Sequence, residues 1–459
     1  MKLRDIQIPA VQRGIEFFEK KKTEPSIIVA PTAFGKSIVI AFIAKAVNDK
    51  ILVIQPSKEL LKQNYEKFIT LGGEAKIYSN SLKSKNIGDV TYATIGSIIN
   101  IAHTFKEMGF TKVIIDECDR YPKKSDGMLR TFLKNSGMKW VLGLTATPLK
   151  LESEFDTVSG DLYSKLAMLT TKTKNGSFFV HIIHTCQISE MVNGAYWTPL
   201  VYESYDFDSG ALVYNSNGSE YTEKSVVNAF NNQGILEKII KKVAMLTDRK
   251  SILISVPTID AAIELEKRIP SCRAIYSGMP DHERDSAIDA FKSLKLRVVA
   301  QVSILSVGFD HPQLDCIITG RPTSSLSWWY QFVGRVTRIH DDKKTALVVD
   351  FVGSVTKFGR IEDLIFKNVN DKYQLYGEGG KLLTDIPISQ IGLWIEGQKT
   401  PLELAQSIPN HILSFGKYQG RTIRSLPSTY RDWLIGNYYW NNSNKHIKTA
   451  LLDLQKLKM

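Results

Sequence analysis

Ala30-Pro31-Thr32-Ala33-Phe34-Gly35-Lys36-Ser37 lies between the apolar run Ile27-Ile28-Val29 and a helix-like segment from Ile38 to Val47. A loop placed between a strand and a helix lets backbone N–H groups and the helix's positive end surround a phosphate chain. There Lys36 neutralises the outer phosphates and the Ser37 hydroxyl reaches a magnesium ion. Ala33, Phe34 and Gly35 complete the cradle. The strict P-loop pattern asks for Gly where Ala30 stands, so only its Gly-Lys-Ser end is matched. A tight turn with a solvated lysine is the plainer alternative.

Asp116-Glu117-Cys118-Asp119 directly follows Val113-Ile114-Ile115. Carboxylates at the carboxyl end of a buried strand are well placed for a metal-bound nucleotide. Asp116 would hold magnesium, directly or through water, and Glu117 would orient and deprotonate the attacking water. An acidic strand end is as often a solvated loop start. Lys36 and Asp116 are expected to reach one site through neighbouring strands. Thr145-Ala146-Thr147-Pro148 stands at another strand end, where Thr145 and Thr147 could sense the γ-phosphate and couple its loss to movement. Alone, it reads better as a turn.

Gln331-Phe332-Val333-Gly334-Arg335-Val336-Thr337-Arg338 carries two arginines three apart, which would share one face of a helix and point at one phosphate cluster. An arginine brought to the γ-phosphate from a second domain makes hydrolysis depend on closure. An exposed basic helix face is the competing reading.

Elements able to position these groups recur along the chain. Ile51-Leu52-Val53-Ile54 and Val141-Leu142-Gly143-Leu144 read, with Ile27–Val29 and Val113–Ile115, as strands buried on both faces of a parallel sheet. Helix-like segments alternate with them, including Ser57 to Phe68 behind a Ser cap. The pattern restarts with Ile252-Leu253-Ile254, Val298-Val299-Ala300, Cys316-Ile317-Ile318 and Ala346-Leu347-Val348-Val349. The fold class is therefore α/β: two tandem parallel-sheet domains over 1–150 and 233–365, a connector over 151–232 with irregular or β-hairpin content, and an accessory region over 366–459.

The 459 residues allow about three units of ordinary domain size. A formal charge of +12 favours polyanionic partners over acidic ones. Four scattered cysteines, Cys118, Cys186, Cys272 and Cys316, offer neither a zinc pair nor a disulfide framework. The apolar stretch Ile38 to Ala44 is far short of a membrane span, and the N-terminus lacks the apolar segment of a secretory signal. The expected setting is a reducing cytoplasm, bacterial or of a phage-infected host, with no membrane partner.

Over residues 1 to 355 the order of motifs resembles superfamily 2 helicases, with the paired RecA-like domains, ATP and Mg²⁺ that the family implies. Leu3-Arg4-Asp5-Ile6-Gln7 looks like its adenine-reading element, with Gln7 the base contact. Pro56-Ser57-Lys58-Glu59-Leu60 with Gln63, and Ala93-Thr94-Ile95-Gly96-Ser97, match nucleic-acid-contacting motifs, implying contacts from Pro56, Ser57, Lys58, Thr94 and Ser97. Asp116 to Asp119 is similar to the DEAD/DEAH element and Thr145 to Pro148 to the coupling motif. Tyr276-Ser277-Gly278 with Arg284, then Ser306-Val307-Gly308-Phe309-Asp310, then Gln331 to Arg338 continue the series. The resemblance implies nucleotide contacts at Gly308 and Asp310 and catalytic roles for Gln331, Arg335 and Arg338 beside Lys36, Asp116 and Glu117. Ala33 replaces a usual glycine, and Gln301-Val302-Ser303 lacks a usual threonine.

The Leu-Arg-x-x-Gln opening, the Thr-Ala-Thr-Pro form and Gly308-Phe309-Asp310-His311-Pro312 look more like DNA translocases of restriction type and compact phage-encoded helicases that migrate branches and remodel forks. That resemblance implies a motor travelling 3′ to 5′ on duplex or branched DNA such as forks, Holliday junctions or displacement loops, in recombination, replication or repair. An RNA helicase, the motor of a restriction or repair complex, and a nucleotide-switched binding scaffold are the rivals.

The tail Phe415-Gly416-Lys417-Tyr418-Gln419-Gly420-Arg421-Thr422, with Tyr430-Arg431-Asp432-Trp433-Leu434, resembles a small module appended to phage and bacterial nucleic-acid enzymes. Lys417 and Arg421 would track phosphates while Tyr418, Trp433, Tyr439 or Trp440 stacks on an unpaired base. An aromatic mini-core with a solvated basic rim explains the same residues.

Overall fold

The computed structural model describes residues 2–21, 23–47, 49–121, 127–155, 162–171, 177–303, 310–370, 372–391, 409, 411–438, 440 and 444–456. The apolar β-branched runs form strands because their side chains are covered on both faces, as in β1 (Ser26–Val29) and β2 (Ile51–Gln55), where every residue is buried. With β3 (Lys76–Ser79), β4 (Ser84–Lys85), β5 (Val90–Thr94), β6 (Lys112–Asp116) and β7 (Trp140–Thr145) they build the first sheet. Next come β8 (Leu149–Phe155), β9 (Leu162–Met168), β10 (His181–Thr185) and β11 (Leu200–Ser204). The second sheet draws on β12 (Ile252–Ser255), β13 (Cys272–Ile275), β14 (Val298–Gln301), β15 (Cys316–Thr319) and β16 (Ala346–Asp350), and β17 (Ile365–Val369) and β18 (Lys372–Tyr376) follow.

The first sheet has the order β10-β1-β7-β6-β2-β5-β3-β4 and is parallel throughout except for the β3–β4 pair. The second, β11-β16-β15-β12-β14-β13, is entirely parallel. These are the two α/β sheets of a paired RecA-like architecture. Helices begin where side chains cap them: Ser57 accepts from Leu60 N, Thr258 from Ala261 N and Ser325 from Trp328 N.

Residues 151–232 do more than connect. They hold most of the antiparallel β8–β9 hairpin, and they add an edge strand to each sheet, β10 against β1 and β11 against β16. Beyond the second sheet, β17 and β18 form a hairpin. One apolar core runs from the first sheet across the helix Leu326–Val333 to one face of the second; another covers the opposite face. A third, separate cluster around Leu413, Ile423, Leu434 and Leu451 belongs to the C-terminal module. All four cysteines are buried free thiols. Among the described residues no helix is long and apolar enough to cross a membrane.

Candidate nucleotide site

The loop after β1 is bent by two residues in the left-handed region, Ala33 at φ +58° and Gly35 at φ +89°. Gly35 caps the helix Lys36–Ala46, so that the helix's free N–H groups face the loop. Glycine adopts this conformation without steric cost, whereas Ala33 carries a penalty on the order of 1 kcal/mol. Gln7 is buried against the loop: its Nε2 donates to the Phe34 carbonyl at 2.6 Å and its Oε1 accepts from Arg4 N at 2.8 Å. A Cβ on Gly35 would lie 2.6 Å from that Nε2, so this close approach also requires glycine. Arg4 ties the arrangement down through Nη1 to the Ala33 carbonyl at 3.1 Å.

Strands β1, β7 and β6 lie side by side, which brings their carboxyl ends to one place. Lys36 and Asp116 were expected on neighbouring strands; β7 stands between β1 and β6 and inserts Thr145. Lys36 Nζ lies 3.1 Å from Glu117 Oε1. Burial opposes the Lys36 charge, but Glu117, Asp116 and Asp119 outweigh it and hold the pKa above the ordinary lysine value. Asp116 is pushed up to about 7 by burial and by Glu117, against the pull of Lys36 and a 2.9 Å hydrogen bond from Asn64 Nδ2. Glu117 is itself in the left-handed region, φ +46°, which turns its side chain off the strand direction. Asp119 accepts from Thr145 Oγ1 at 2.6 Å and Thr147 Oγ1 at 2.8 Å, yet burial and Glu117 still raise it to about 6. Such crowding of carboxylates in a dry site calls for cationic compensation beyond one lysine.

Across the crevice the second unit presses onto the phosphate loop at Thr32. Tyr330 OH accepts from Thr32 N at 3.2 Å, and Trp197 Nε1 donates to Thr32 O at 2.9 Å. Gly334 packs so closely that a Cβ there would lie 2.5 Å from Thr32 Oγ1. Gln331 Nε2 reaches Thr147 Oγ1 at 3.5 Å, the outer limit of a hydrogen bond. Arg335, next to Gly334, is 6% exposed. Burial and the like charges of Arg338 and Arg120 push its pKa down to about 9, while Asp310 and Glu117 act in the opposite direction.

The helix face expected to carry both arginines does not form. Arg335 and Arg338 do not share a helix face, because the helix Leu326–Val333 ends at Gly334 and both arginines lie in the turns beyond it. Released from helical geometry, Arg338 Nε pairs with Asp310 Oδ1 at 2.8 Å, and Asp310 Oδ2 also accepts from Gln63 Nε2 at 2.9 Å. Asp310 therefore bridges the two units. Gly308 lies outside the described residues.

Residues expected to touch nucleic acid sit apart from this pocket. Pro56, Ser57 and Lys58 follow β2, and Thr94 ends β5, its paired neighbour, with Thr94 Oγ1 2.9 Å from Ser97 Oγ. In the sheet these strands lie beyond β6, away from the phosphate loop. Lys417 and Arg421 are on the separate C-terminal module.

Three residues reach the pocket from the helix Lys58–Thr70: Gln63, which the motif names, and Asn64 and Lys67, which no motif singles out. Besides Asn64 on Asp116, Lys67 Nζ donates to Ser37 Oγ at 2.8 Å, and Gln63 holds Asp310. Burial lowers the Lys67 pKa, and Asp310 and Asp116 pull against it. Helical spacing puts Gln63 and Lys67 on one face, but nothing local in the sequence says what that face meets. Lys343 was also unsignalled; its buried Nζ donates to the carbonyls of Pro312, Leu314 and Val336, bracing the segments that carry Asp310 and the arginines.

Magnesium with a nucleoside triphosphate suits these residues. Glu117 Oε2 and Asn64 Oδ1 are buried without a hydrogen-bond partner among the described residues, beside the crowded carboxylates and the Ser37 hydroxyl. Asp116 and Ser37 offer the hard oxygen donors that magnesium takes.

A family profile described as "Type III restriction enzyme, res subunit" matches residues 1–150, and one described as "Helicase conserved C-terminal domain" matches 233–340. The putative ATP-dependent helicase IRC3 of Saccharomyces cerevisiae is 22% identical over 379 residues, covering 77% of this chain and 52% of the yeast protein. A 51.5 kDa protein of a Lactococcus phage is 24% identical over 335 residues, covering 71% of this chain and 65% of its own. The chain thus spans about half to two thirds of the length of these relatives. A fragment of a putative HsdR subunit of a type I restriction enzyme from Vibrio vulnificus shares the fold at TM-score 0.56 and 18% identity, covering 77% of this chain and 64% of that one.

Proposed function

From the premise that the chain belongs to helicase superfamily 2, we propose that it hydrolyses ATP to drive movement along DNA. The observation that carries this is the two-walled pocket. Lys36, Ser37, Asp116 and Glu117 stand on one wall, and the second unit, whose Gly334 packs on Thr32 of that wall, carries the neighbouring Arg335 on the other. Lys36 neutralises the outer phosphates, and the helix start at Gly35 faces the phosphate chain. Ser37 and Asp116 would hold magnesium, which would supply neutralisation of the developing phosphate charge. Glu117 orients the attacking water and takes its proton, and Arg335 stabilises transition-state charge from the opposite wall. Gln7 reads the base from its position beside the loop, and Arg338 with Asp310 follows the state of the cleft.

Hydrolysis is linked to movement because the pocket's walls belong to different units. Thr145 and Thr147 connect Asp119 to Gln331, so a change beside the γ-phosphate reaches the second unit through hydroxyls. Closure and reopening alter the distance between nucleic-acid grips on the two units, with Pro56, Ser57, Lys58, Thr94 and Ser97 forming the first grip. Backbone phosphates are the main contact, so sequence preference is low and binding weakens steeply with salt.

The restriction-enzyme profile of the first domain supports DNA over RNA as the track; branched duplexes such as forks, Holliday junctions and displacement loops, and 3′ to 5′ travel, rest on the resemblance of the Thr145–Pro148 and Gly308–Pro312 forms to compact phage-encoded helicases. The same profile favours a second reading, the motor of a restriction or repair complex with a separate nuclease. ATP turnover and strand displacement on junction, fork, linear duplex and structured RNA at fixed salt test both. Branched DNA should stimulate most; strongest stimulation by RNA would refute the DNA assignment, and ATP-dependent travel on linear duplex without unwinding would favour the complex motor.

A further inference from the structure

The aromatic residues of the C-terminal module fall into two sets. Phe415, Tyr438 and Trp440 close on one another, with Phe415 and Tyr438 stacked at 4.0 Å, and pack on the module's apolar cluster. They are core. Tyr439 lies outside the described residues. The other set is a row that leads to the surface: Tyr418 meets Tyr430 edge-on at 4.6 Å, and Tyr430 stacks on Trp433 at 5.6 Å with ring planes 16° apart. Tyr430 and Trp433 are three apart on the helix Ser428–Asn437 and therefore share a face. Trp433 ends the row and is 50% exposed.

The opposite end of the row is cationic. Lys417 Nζ and the Arg421 guanidinium each lie 5.6 Å from the Tyr418 ring centre, and both residues are exposed. Gly416 at φ +76° and Gly420 at φ +85° bend the loop that carries them, and Lys417 N donates to Tyr430 OH at 3.3 Å. The positions of both charges are thus set by the aromatic row itself. From His411 to Met459 eight Lys or Arg stand against Asp432 and Asp453, and Asp432 Oδ1 accepts a 3.0 Å hydrogen bond from Gln455 Nε2 on the helix Lys445–Lys456.

We infer that this row is a second nucleic-acid site, separate from the motor, which takes a single strand by stacking an unpaired base on Trp433 and holding the adjoining phosphates at Lys417 and Arg421. A flat ring that stacks on Tyr430 and is half exposed is a platform for any base, and it gains nothing from a duplex whose bases are already stacked. Tyr418 and Tyr430 are not stacking partners for the strand: their rings are taken up by the cations and by each other. The site goes beyond the motor reading and supplies a hold on displaced strand that does not depend on the state of the ATP cleft.

The test uses the full-length chain without nucleotide. Single-stranded oligonucleotide carrying 5-iodouracil is photocrosslinked to the protein and the attached peptide identified, and affinity for fluorescent oligo-dT and for a closed hairpin duplex is measured by anisotropy. Crosslinks should map to the peptide containing Trp433. Trp433→Ala should weaken oligo-dT binding about tenfold, within the range for loss of one stacked base, with Trp433→Phe restoring most of it. Lys417→Gln with Arg421→Gln should reduce the salt dependence of single-strand binding by about 1.4 in log–log slope, as expected for two phosphate contacts. Crosslinks confined to residues 1–365, or oligo-dT affinity of Trp433→Ala within twofold of the parent, would overturn the site, as would an equal loss on the hairpin. The motor assignment fails separately, if Lys36→Ala turns over ATP normally.

Discussion

Gly334→Ala isolates the contact on which closure depends. Gly334 has φ −56° and ψ −12°, a conformation that alanine adopts freely, so the substitution asks nothing of the backbone. Its cost is steric. The new methyl would stand 2.5 Å from Thr32 Oγ1, 2.7 Å from Cγ2 and 2.8 Å from Cβ, about 1 Å inside ordinary contact. Thr32 has little room to yield, being held at its N–H by Tyr330 and at its carbonyl by Trp197. The units must separate instead, and Arg335 moves back with them. Overpacking of this kind costs about 1–3 kcal/mol, and the cost falls only on the closed arrangement. At about 1.4 kcal/mol per factor of ten, the closed population falls roughly fivefold to 150-fold relative to open forms. The turnover number should fall by a similar factor, whereas affinity for a fluorescent ATP analogue should change less than about threefold, because Lys36 and Ser37 are untouched. Thr32→Ala in the same chain should recover part of the loss, making the pair non-additive. Turnover within twofold of the parent would refute the reasoning, and parallel loss of turnover, binding and melting temperature would mean general damage.

Lys67→Met should lower the magnesium concentration needed for half-maximal nucleotide binding by on the order of tenfold, because an ammonium on Ser37 Oγ and a divalent cation repel each other at that oxygen; titration of a fluorescent ADP analogue with magnesium checks this, and an unchanged or higher requirement would count against it. Thr145→Val with Thr147→Val removes both hydroxyl donors from Asp119, so basal turnover should persist while stimulation by DNA is largely lost, and full stimulation would end the coupling role. His311 is buried on Ser251, and burial with the nearby charges of Lys292 and Lys343 pushes its pKa from the ordinary 6.5 down to about 4. A depressed pKa contributes stability above pH 6.5 that is lost as pH falls toward 4, roughly 3 kcal/mol in all. Urea unfolding across that range should show the loss, and His311→Asn should flatten it; an unchanged slope in the variant would assign the effect elsewhere.

What could be read from the chain was whatever is local. The phosphate loop announces itself by Gly35, Lys36 and Ser37 between an apolar strand and an apolar helix, and Asp116 and Glu117 by the strand Val113–Ile115 that delivers them. The strands with both faces buried were equally legible, since each is a short β-branched run. The edge strands were not: His181–Thr185 and Leu200–Ser204 are half exposed, so their apolar pattern is diluted. Nor was the fit of Gly334 against Thr32, residues about 300 positions apart, because a glycine says only that space is scarce, not what takes it. The arginines misled for a related reason. Spacing of three implies a shared face only while the helix lasts, and it ends at Gly334. Lys67 and Asn64, which no motif marks, serve the pocket; helix periodicity gives a direction and not a neighbour.

The central claim is that the second unit completes the hydrolytic site on the first. Turnover and nucleotide affinity of Arg335→Ala, measured together with and without DNA, test it most directly. Affinity should stay within about threefold of the parent while turnover drops by at least a hundredfold and no longer responds to DNA, as when a transition-state arginine is removed. Normal DNA-stimulated turnover in that variant would mean that the first unit hydrolyses ATP without the second.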